Sequence, residues 1–171
     1  MIEVWYPGQA GENAPQRELE LDQWDSAHVG VTLSARRLVQ DSREVGGGDI
    51  FVAIGTAVSP ALPYIAPALA QGAVAVLVDA AVAEGGNLGE RVFVIANLRE
   101  VIGSLADTFV GHPSRSMSMV GITGTNGKTS TAHLLTQAWQ RLAMTSATIG
   151  TLGAGITGER RINMGMTTPQ V

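Results

Sequence analysis

The 171-residue sequence contains no cysteine, and its single lysine contrasts with ten arginines. The absence of cysteine excludes disulfide bonds and thiolate metal sites, and it is typical of proteins from a reducing compartment. Charged residues make up 15% of the chain and aromatic residues 5%, whereas hydrophobic residues make up 45%. This composition excludes a disordered chain and predicts a globular protein with a buried core.

Basic charge and long apolar runs are also scarce. The net charge of −4 provides no overall positive field for nucleic acid or an anionic membrane. Residues 1–8 carry an acidic and no basic side chain, which is unlike a signal peptide. The longest apolar-rich stretch, 66–83, is interrupted by residues such as Pro67 and Asp79, so it does not predict a membrane-spanning helix. We therefore expect a cytoplasmic monomer that binds neither nucleic acid nor membrane.

Strand and helix patterns alternate between residues 49 and 109. Two short runs, 73–78 and 92–95, are continuously apolar and rich in β-branched residues, which is typical of strands covered on both faces. Other segments carry apolar residues at helical spacing. The predicted elements are strands over 49–54, 73–78 and 92–95, a helix around 64–69 and a helix over 98–109. This alternation predicts an α/β fold with a largely parallel sheet.

The segments on either side of this region have a different character. Residues 1–25 form an irregular arm, in which Glu18–Leu21 fits a loose arm, an appended segment or one short strand. A Gly-His-Pro run from Gly111 ends the last helix, and we place a domain boundary after Ser116. We expect domains at 1–116 and 117–171. The second is about 55 residues long, whereas a nucleotide-binding domain typically needs on the order of 100, so we expect it to be incomplete.

The single lysine, Lys128, lies in the run GITGTNGKTS at 121–130. A strand is predicted over 119–123 and a helix over 128–142, followed by a strand over 145–149. A glycine-rich turn between strand and helix directs backbone N–H groups and the positive end of the helix dipole at one anion. Lysine adds a compact charge that arginine does not imitate. We predict a nucleotide-phosphate site in which Lys128 bridges the β- and γ-phosphates.

Two details qualify this loop. A strict Walker pattern places glycine five residues before Gly127, where this chain has Ile122, and its glycines stand at 121, 124 and 127 instead. An alternative interpretation is a turn whose glycines merely adopt positive φ.

The helix after the loop has a predicted apolar face, which comprises Leu134, Leu135, Ala138 and Leu142. The pattern thus predicts a first βαβ part of a P-loop domain.

The run GITGTNGKT resembles the ATP loop of the Mur ligases, cytoplasmic enzymes that build the stem peptide of peptidoglycan. The resemblance covers most of the chain beyond Val39. It rests on Asp41-Ser42-Arg43, on the stretches 48–53 and 70–75, on His112-Pro113-Ser114, and on the segments 145–153 and 167–169. The part before the boundary is similar to the UDP-binding domain of the family. The last two segments are most similar to the branch that adds the third residue of the stem.

What the resemblance implies is an ATP- and Mg²⁺-dependent amide ligase. In this family the substrate carboxylate is phosphorylated to an acyl phosphate, and an incoming amine displaces phosphate. The implied substrate is UDP-MurNAc-L-Ala-D-Glu, to which a third amino acid is added. The composition, rich in Ala, Gly and Arg and poor in Lys, suggests a GC-rich genome, and Gram-negative bacteria with such genomes usually add meso-diaminopimelate. Lysine is the alternative.

The resemblance also assigns site residues by position. Gln40 and Ser42 would contact the uridine end of the sugar nucleotide, and Thr167 and Thr168 the muramoyl-dipeptide. The hydroxyl of Thr129 would ligate Mg²⁺. ATP would be held by Gly124, Thr125, Asn126, Gly127, Lys128, Thr129 and Ser130.

Some of these assignments have simpler alternatives. Asp41 and Ser42 could cap a turn, and Thr167 and Thr168 could be plain loop residues. The family's Asp-Gly after the Phe-Val-Ala strand is replaced by Pro60-Ala61. Its nearby polar contacts to UDP fall at Ala57, Val58 and Ser59.

Three functions remain open on this basis. The chain is the N-terminal portion of such a ligase (of the branch named above or, alternatively, a MurF-type ligase fragment), a UDP-sugar-binding module without catalysis, or a P-loop phosphotransferase of another family that a partner chain completes. The family's remaining metal ligands and its carbamylated lysine would lie beyond Val171, and Lys128 is the only lysine here. We therefore expect the 171-residue chain alone to bind little and to form no amide.

Overall fold

The computed structural model describes residues 15–24, 30–55, 61–81, 88–159 and 161. The predictions made for Thr167 and Thr168, for most of the N-terminal arm and for the loop at 56–60 lie outside these residues. The chain separates between Met117 and Ser118 into two compact units. Along the described ranges, no helix is both long enough and apolar enough to cross a bilayer.

The predicted helices and the apolar strands of the first unit are confirmed within a few residues. A short 3₁₀ turn at Pro113–Ser116 follows the last helix of this unit. The elements described for the unit are β1 (Arg17–Glu20), β2 (Thr32–Ala35), β3 (Leu38–Val39), β4 (Ile50–Ala53), α1 (Leu62–Ala70), β5 (Ala75–Asp79), β6 (Val92–Ile95) and α2 (Leu98–Phe109).

Strands β3, β4, β5 and β6 form one parallel sheet in that order, which confirms the predicted α/β fold. Successive side chains of a strand point to opposite faces, so the sheet is covered on both sides. Ile50 and Val52 lie in the core that includes α2, and Phe51 and Ala53 lie in the core that includes α1. This double burial explains why the central strands are apolar without alternation.

The Glu-Leu-Glu-Leu run forms a strand in the structure, rather than a loose arm. Strand β1 pairs with β2 in an antiparallel hairpin, with Arg17 opposite Ala35. Leu19 and Leu21 are fully buried in the core beneath α2, whereas Glu18 and Glu20 are exposed. The alternation of charge and leucine is therefore the signature of a strand with one face on the core.

A buried ion pair joins the amino ends of β3 and β4. The carboxylate of Asp49, which is 1% exposed, accepts hydrogen bonds from Arg37 Nε at 3.0 Å, from Arg37 Nη2 at 2.5 Å and from the Gly46 N–H at 2.8 Å. The hydrogen bond to Asp49 raises the pKa of Arg37 above its ordinary value. The pair closes the base of the loop that connects these two parallel strands without a helix.

The second unit differs from the predicted βαβ start. Helix α3 (Lys128–Arg141) is confirmed, but the segment 119–123 forms no strand in the structure. A strand needs a neighbour to pair its N–H and C=O groups. Within the described part of this unit, the pairing shown is that of β7 (Ala147–Gly150) with β8 (Gly153–Ile156), which is antiparallel.

The predicted apolar face of α3 is not buried either. Leu134 is 64% exposed and Leu142 70% exposed, and the buried residue of the helix is Thr136. The apolar residues Met119 and Val120 are exposed as well. The predicted helix is therefore confirmed, and the side chains of Leu134 and Leu142 on its apolar face are largely exposed.

Candidate functional site

The phosphate loop has the backbone that its glycines allow. Gly124 has φ of 142° and Gly127 φ of 79°, values that residues with a side chain rarely adopt. Gly127 is the N-cap of α3, and the N–H of Thr131 bonds to its carbonyl oxygen at 2.8 Å. The glycine-rich turn thus leads directly into the first turn of the helix, as predicted.

Lys128 folds back over this turn. Its Nζ donates hydrogen bonds to the carbonyl oxygen of Gly124 and, at 3.3 Å, to that of Thr125. Residues 123–131 are exposed to solvent. The ammonium group therefore braces the loop and remains accessible to a ligand from solution.

The start of α3 is suited to bind an anion. Among the described residues, no side chain caps the helix at Gly127, and its first turn contains no acidic residue. The first N–H groups of a helix have no intrahelical partner and carry the positive end of the dipole. Together with Lys128 they form a local positive site in a chain of net charge −4. This arrangement fits a phosphate group.

The loop offers fewer groups to Mg²⁺ than to a phosphate. Thr129 lies in the first turn of α3, where its hydroxyl would offer one oxygen ligand. In the described ranges, no group of three or more histidine or acidic side chains is arranged to hold a metal. Mg²⁺ is commonly bound by one or two protein groups together with phosphate oxygens. The loop therefore fits Mg²⁺ as a companion of a bound nucleotide.

Gln40 and Ser42 lie in the first unit, directly after β3. Because β3 to β6 are parallel, their carboxyl ends meet at one edge of the sheet, which is where α/β proteins bind ligands. Both residues are half-buried. At the same edge, the Arg99 guanidinium donates to the Gly55 carbonyl oxygen at 3.0 Å, and Asp79 accepts the Ala81 N–H at 3.0 Å. The Arg99 N–H also donates to Asp79 Oδ2 at 3.4 Å, so Arg99, in the first turn of α2, connects the loop after β4 with the end of β5.

A tight turn holds the backbone around Ser42. Asp41 Oδ1 accepts the N–H of Arg43 at 2.9 Å, and Asp41 also binds the guanidinium through Nε at 2.9 Å and through Nη2 at 2.5 Å. The Arg43 side chain and then its N–H lower the pKa of Asp41 to about 2. The interpretation of Asp41 as a turn-capping residue is therefore confirmed.

The structure thus brings together the loop residues 124–130 in the second unit and, separately, Gln40 and Ser42 in the first. The sequence interpretation assigned no role to two arginines with defined partners, Arg43, which it named only as part of the Asp-Ser-Arg motif, and Arg99 at the sheet edge. The Asp-Ser-Arg spacing contained a usable signal for Arg43, because aspartate often accepts an N–H two residues on. Arg99 pairs with a backbone oxygen 44 positions away, which no local pattern indicates.

Comparison with known proteins adds sequence and fold relationships. Residues 122–170 match the family described as "Mur ligase middle domain". The chain is 48% identical over 134 residues to a Xylella fastidiosa (strain Temecula1) protein named UDP-N-acetylmuramoyl-L-alanyl-D-glutamate--2,6-diaminopimelate ligase, and 41% identical over 141 residues to the Chromobacterium violaceum protein of that name. These alignments cover 78% and 81% of this chain. A solved structure of a ligase of the same name matches 75% of the chain, with a TM-score of 0.58 and 26% identity.

The shared region is a limited part of these relatives. The chain spans 27% of the Xylella protein and 29% of the Chromobacterium protein. It covers 26% of the matched solved structure. The predicted resemblance to the Mur ligase family is therefore confirmed, for a segment that corresponds to less than a third of these relatives.

Proposed function

We propose that this chain, a homologue of the Mur ligases, provides the sugar-nucleotide-binding domain (1–116) and the beginning of the ATP-binding domain (117–171) of a MurE-type ligase. The reaction is the ATP-dependent addition of meso-diaminopimelate to UDP-MurNAc-L-Ala-D-Glu in the cytoplasm, by a monomer. Relatives named for this ligation, up to 48% identical to the chain, support the assignment. The observation that carries it is the glycine loop with Lys128 at the start of α3.

The loop would act by neutralising phosphate charge. The N–H groups of the first turn of α3 and the Lys128 ammonium would together hold the β- and γ-phosphates. ATP, when bound with Mg²⁺ at Thr129, supplies the phosphoryl group that activates the substrate carboxylate. Fixed donors that need no reorganisation stabilise charge that develops on the transferred group.

To reach a phosphate, Lys128 must exchange partners. Its present contacts are the carbonyl oxygens of Gly124 and Thr125. A phosphate oxygen is a stronger acceptor for an ammonium group because it is charged. On nucleotide binding, the Lys128 ammonium would therefore exchange these carbonyl oxygens for phosphate oxygens.

In the first unit, Gln40 and Ser42 would bind the uridine end of the sugar nucleotide. Their place at the carboxyl end of β3 supports this role, since this edge is the usual ligand edge of a parallel sheet. Thr167 and Thr168 would meet the muramoyl-dipeptide. The sugar nucleotide would thus be held at its uridine end and at its muramoyl-dipeptide, and ATP would be held by the glycine-rich loop.

Ligand-observed NMR on the 171-residue chain tests the proposal, because saturation transfer detects weak binding. We expect signals from both UDP-MurNAc-L-Ala-D-Glu and ATP–Mg²⁺, with loss of the ATP signal alone in Lys128→Ala. A UDP-sugar signal without an ATP signal would replace the proposal with a sugar-nucleotide-binding module. ATP binding alone would favour a phosphotransferase of another family. We expect no amide product from the chain by itself, which spans 27% of its Xylella relative.

A further inference from the structure

Several hydrogen bonds between Asp41 and the two residues after Ser42 hold the turn that follows β3. Asp41 receives four hydrogen bonds from Arg43: one from its N–H at 2.9 Å and three from its guanidinium. The guanidinium bonds run from Nε to Oδ1 at 2.9 Å, from Nε to Oδ2 at 3.1 Å and from Nη2 to Oδ2 at 2.5 Å. The Asp41 carbonyl oxygen also accepts the N–H of Glu44 at 3.0 Å. Ser42 lies between the two paired residues, so the backbone on both of its sides is held in place.

This ion pair contributes little to the stability of the fold. The Arg43 side chain is 87% exposed. Water screens the attraction between exposed charges, and holding both side chains in one geometry costs conformational entropy. The buried pair of Arg37 and Asp49 at the opposite end of β3 differs in this respect, since its side chains are 22% and 2% exposed. One pair thus supports the sheet, whereas the other orders a surface turn at the ligand edge.

We propose that Asp41 and Arg43 are positioning residues for sugar-nucleotide binding, which hold the turn in the conformation that presents Gln40 and Ser42. This inference rests on the proposed uridine contacts of Gln40 and Ser42. Neither Asp41 nor Arg43 needs to touch the ligand. A turn that is ordered before binding does not lose conformational entropy when the ligand arrives, and the ligand therefore binds more tightly.

The surroundings of the pair agree with this role. Arg43 has a pKa above its ordinary value because of Asp41, with smaller contributions from Glu44 and from Tyr64 in the first turn of α1. The carboxylate stays ionised at neutral and mildly acidic pH, because its pKa is about 2. The turn is consequently held at all physiological pH values, and it acts as a fixed support rather than as a switch.

The test compares UDP affinity with stability in matched variants of the 171-residue chain. UDP is titrated by amide chemical-shift changes, and the thermal midpoint is measured in parallel. We expect Asp41→Ala and Arg43→Ala each to weaken UDP binding by about threefold to tenfold, with little change in the midpoint. Asp41→Asn keeps an oxygen for the Arg43 N–H and should recover part of the affinity. The double variant should be no weaker than the worse single variant, because the two residues act as one pair.

Two controls separate the possible failures. Asp49→Asn should lower the thermal midpoint while its folded fraction keeps the parental affinity, the reverse of the Asp41 result. Ser42→Ala tests the underlying site: if it leaves UDP affinity unchanged, the proposed uridine site is wrong. If Ser42→Ala weakens binding but Asp41→Ala and Arg43→Ala do not, the positioning role alone is overturned. Additive losses in the double variant would also contradict it.

Discussion

At the scale of single residues, the choice of lysine at 128 is specific, because every other long basic residue of the chain is arginine. An ammonium group rotates between acceptors, whereas a guanidinium is planar and larger. We expect Lys128→Arg to weaken ATP–Mg²⁺ binding at least about tenfold, although the charge is kept. Arg141→Lys, at the other end of α3, should leave the affinity unchanged. Titration followed by NMR checks both, and full affinity in Lys128→Arg would contradict the role of Lys128.

Asp41 offers a second test at this scale, through its acid titration. Its pKa in the folded chain is about 2, below its ordinary value, because of Arg43. A lowered carboxyl pKa contributes stability that is present above about pH 4 and is lost as pH falls toward 2. Since the pair is exposed, we expect that contribution to be small. A ¹³C titration of the carboxyl group should show a midpoint near 2 that rises in Arg43→Ala. An unchanged midpoint in that variant would disprove the pairing.

At the scale of elements, two glycines differ in whether the structure requires them: Gly72 is required by its backbone conformation, whereas Gly103 is not. Gly72 has φ of 105°, and a Cβ there would lie 3.0 Å from the Gly47 Cα, whereas Gly103 lies in α2 with open space around it. Gly72→Ala should therefore cost about 1–3 kcal/mol of unfolding free energy. Gly103→Ala should add about 0.5–1 kcal/mol through helix propensity. Denaturant unfolding measures both, and a neutral Gly72→Ala would show that the close approach is not maintained.

Some elements of this chain were predicted from local sequence patterns, and others were not. β6 and α2 were predicted at their observed ends because continuous apolar character and helical spacing are local signals. The two-residue strand β3 was missed, since its place depends on pairing with β4 and on the Arg37–Asp49 ion pair. The strand predicted at 119–123 failed for the related reason that apolar residues form a strand only beside another strand.

The candidate site divides in the same way. The turn with positive φ at Gly124 and Gly127 and the helix that begins at Lys128 were predicted, because glycine and lysine spacing is a local signal, whereas nucleotide binding by residues 124–130 stays a prediction. The support of Ser42 by Asp41 and Arg43 needed coordinates, since the side-chain geometry around a turn is not determined by residue types alone. The bond from Arg99 in α2 to the Gly55 carbonyl oxygen joins residues 44 positions apart, which only the folded sheet brings together.

At the scale of the whole molecule, the two units differ in how much they bury. The side chains of β4 are buried throughout and those of β5 nearly so, whereas α3 buries only Thr136 among its described residues. Local stability follows such burial. We expect amide hydrogen exchange in α3 to be at least about tenfold faster than in β4 and β5. Equal protection in the two units would indicate that α3 is covered by contacts beyond those described.

The central claim is that one chain contains two nucleotide sites, one for a sugar nucleotide and one for ATP. The most direct measurement is amide chemical-shift mapping of the 171-residue chain with UDP and with ADP–Mg²⁺ in separate titrations. The account predicts that UDP perturbs residues around Gln40 and Ser42, and that ADP–Mg²⁺ perturbs residues 124–130. Perturbation of the same residues by both ligands, or no response of the loop to ADP–Mg²⁺ at millimolar concentration, would contradict it.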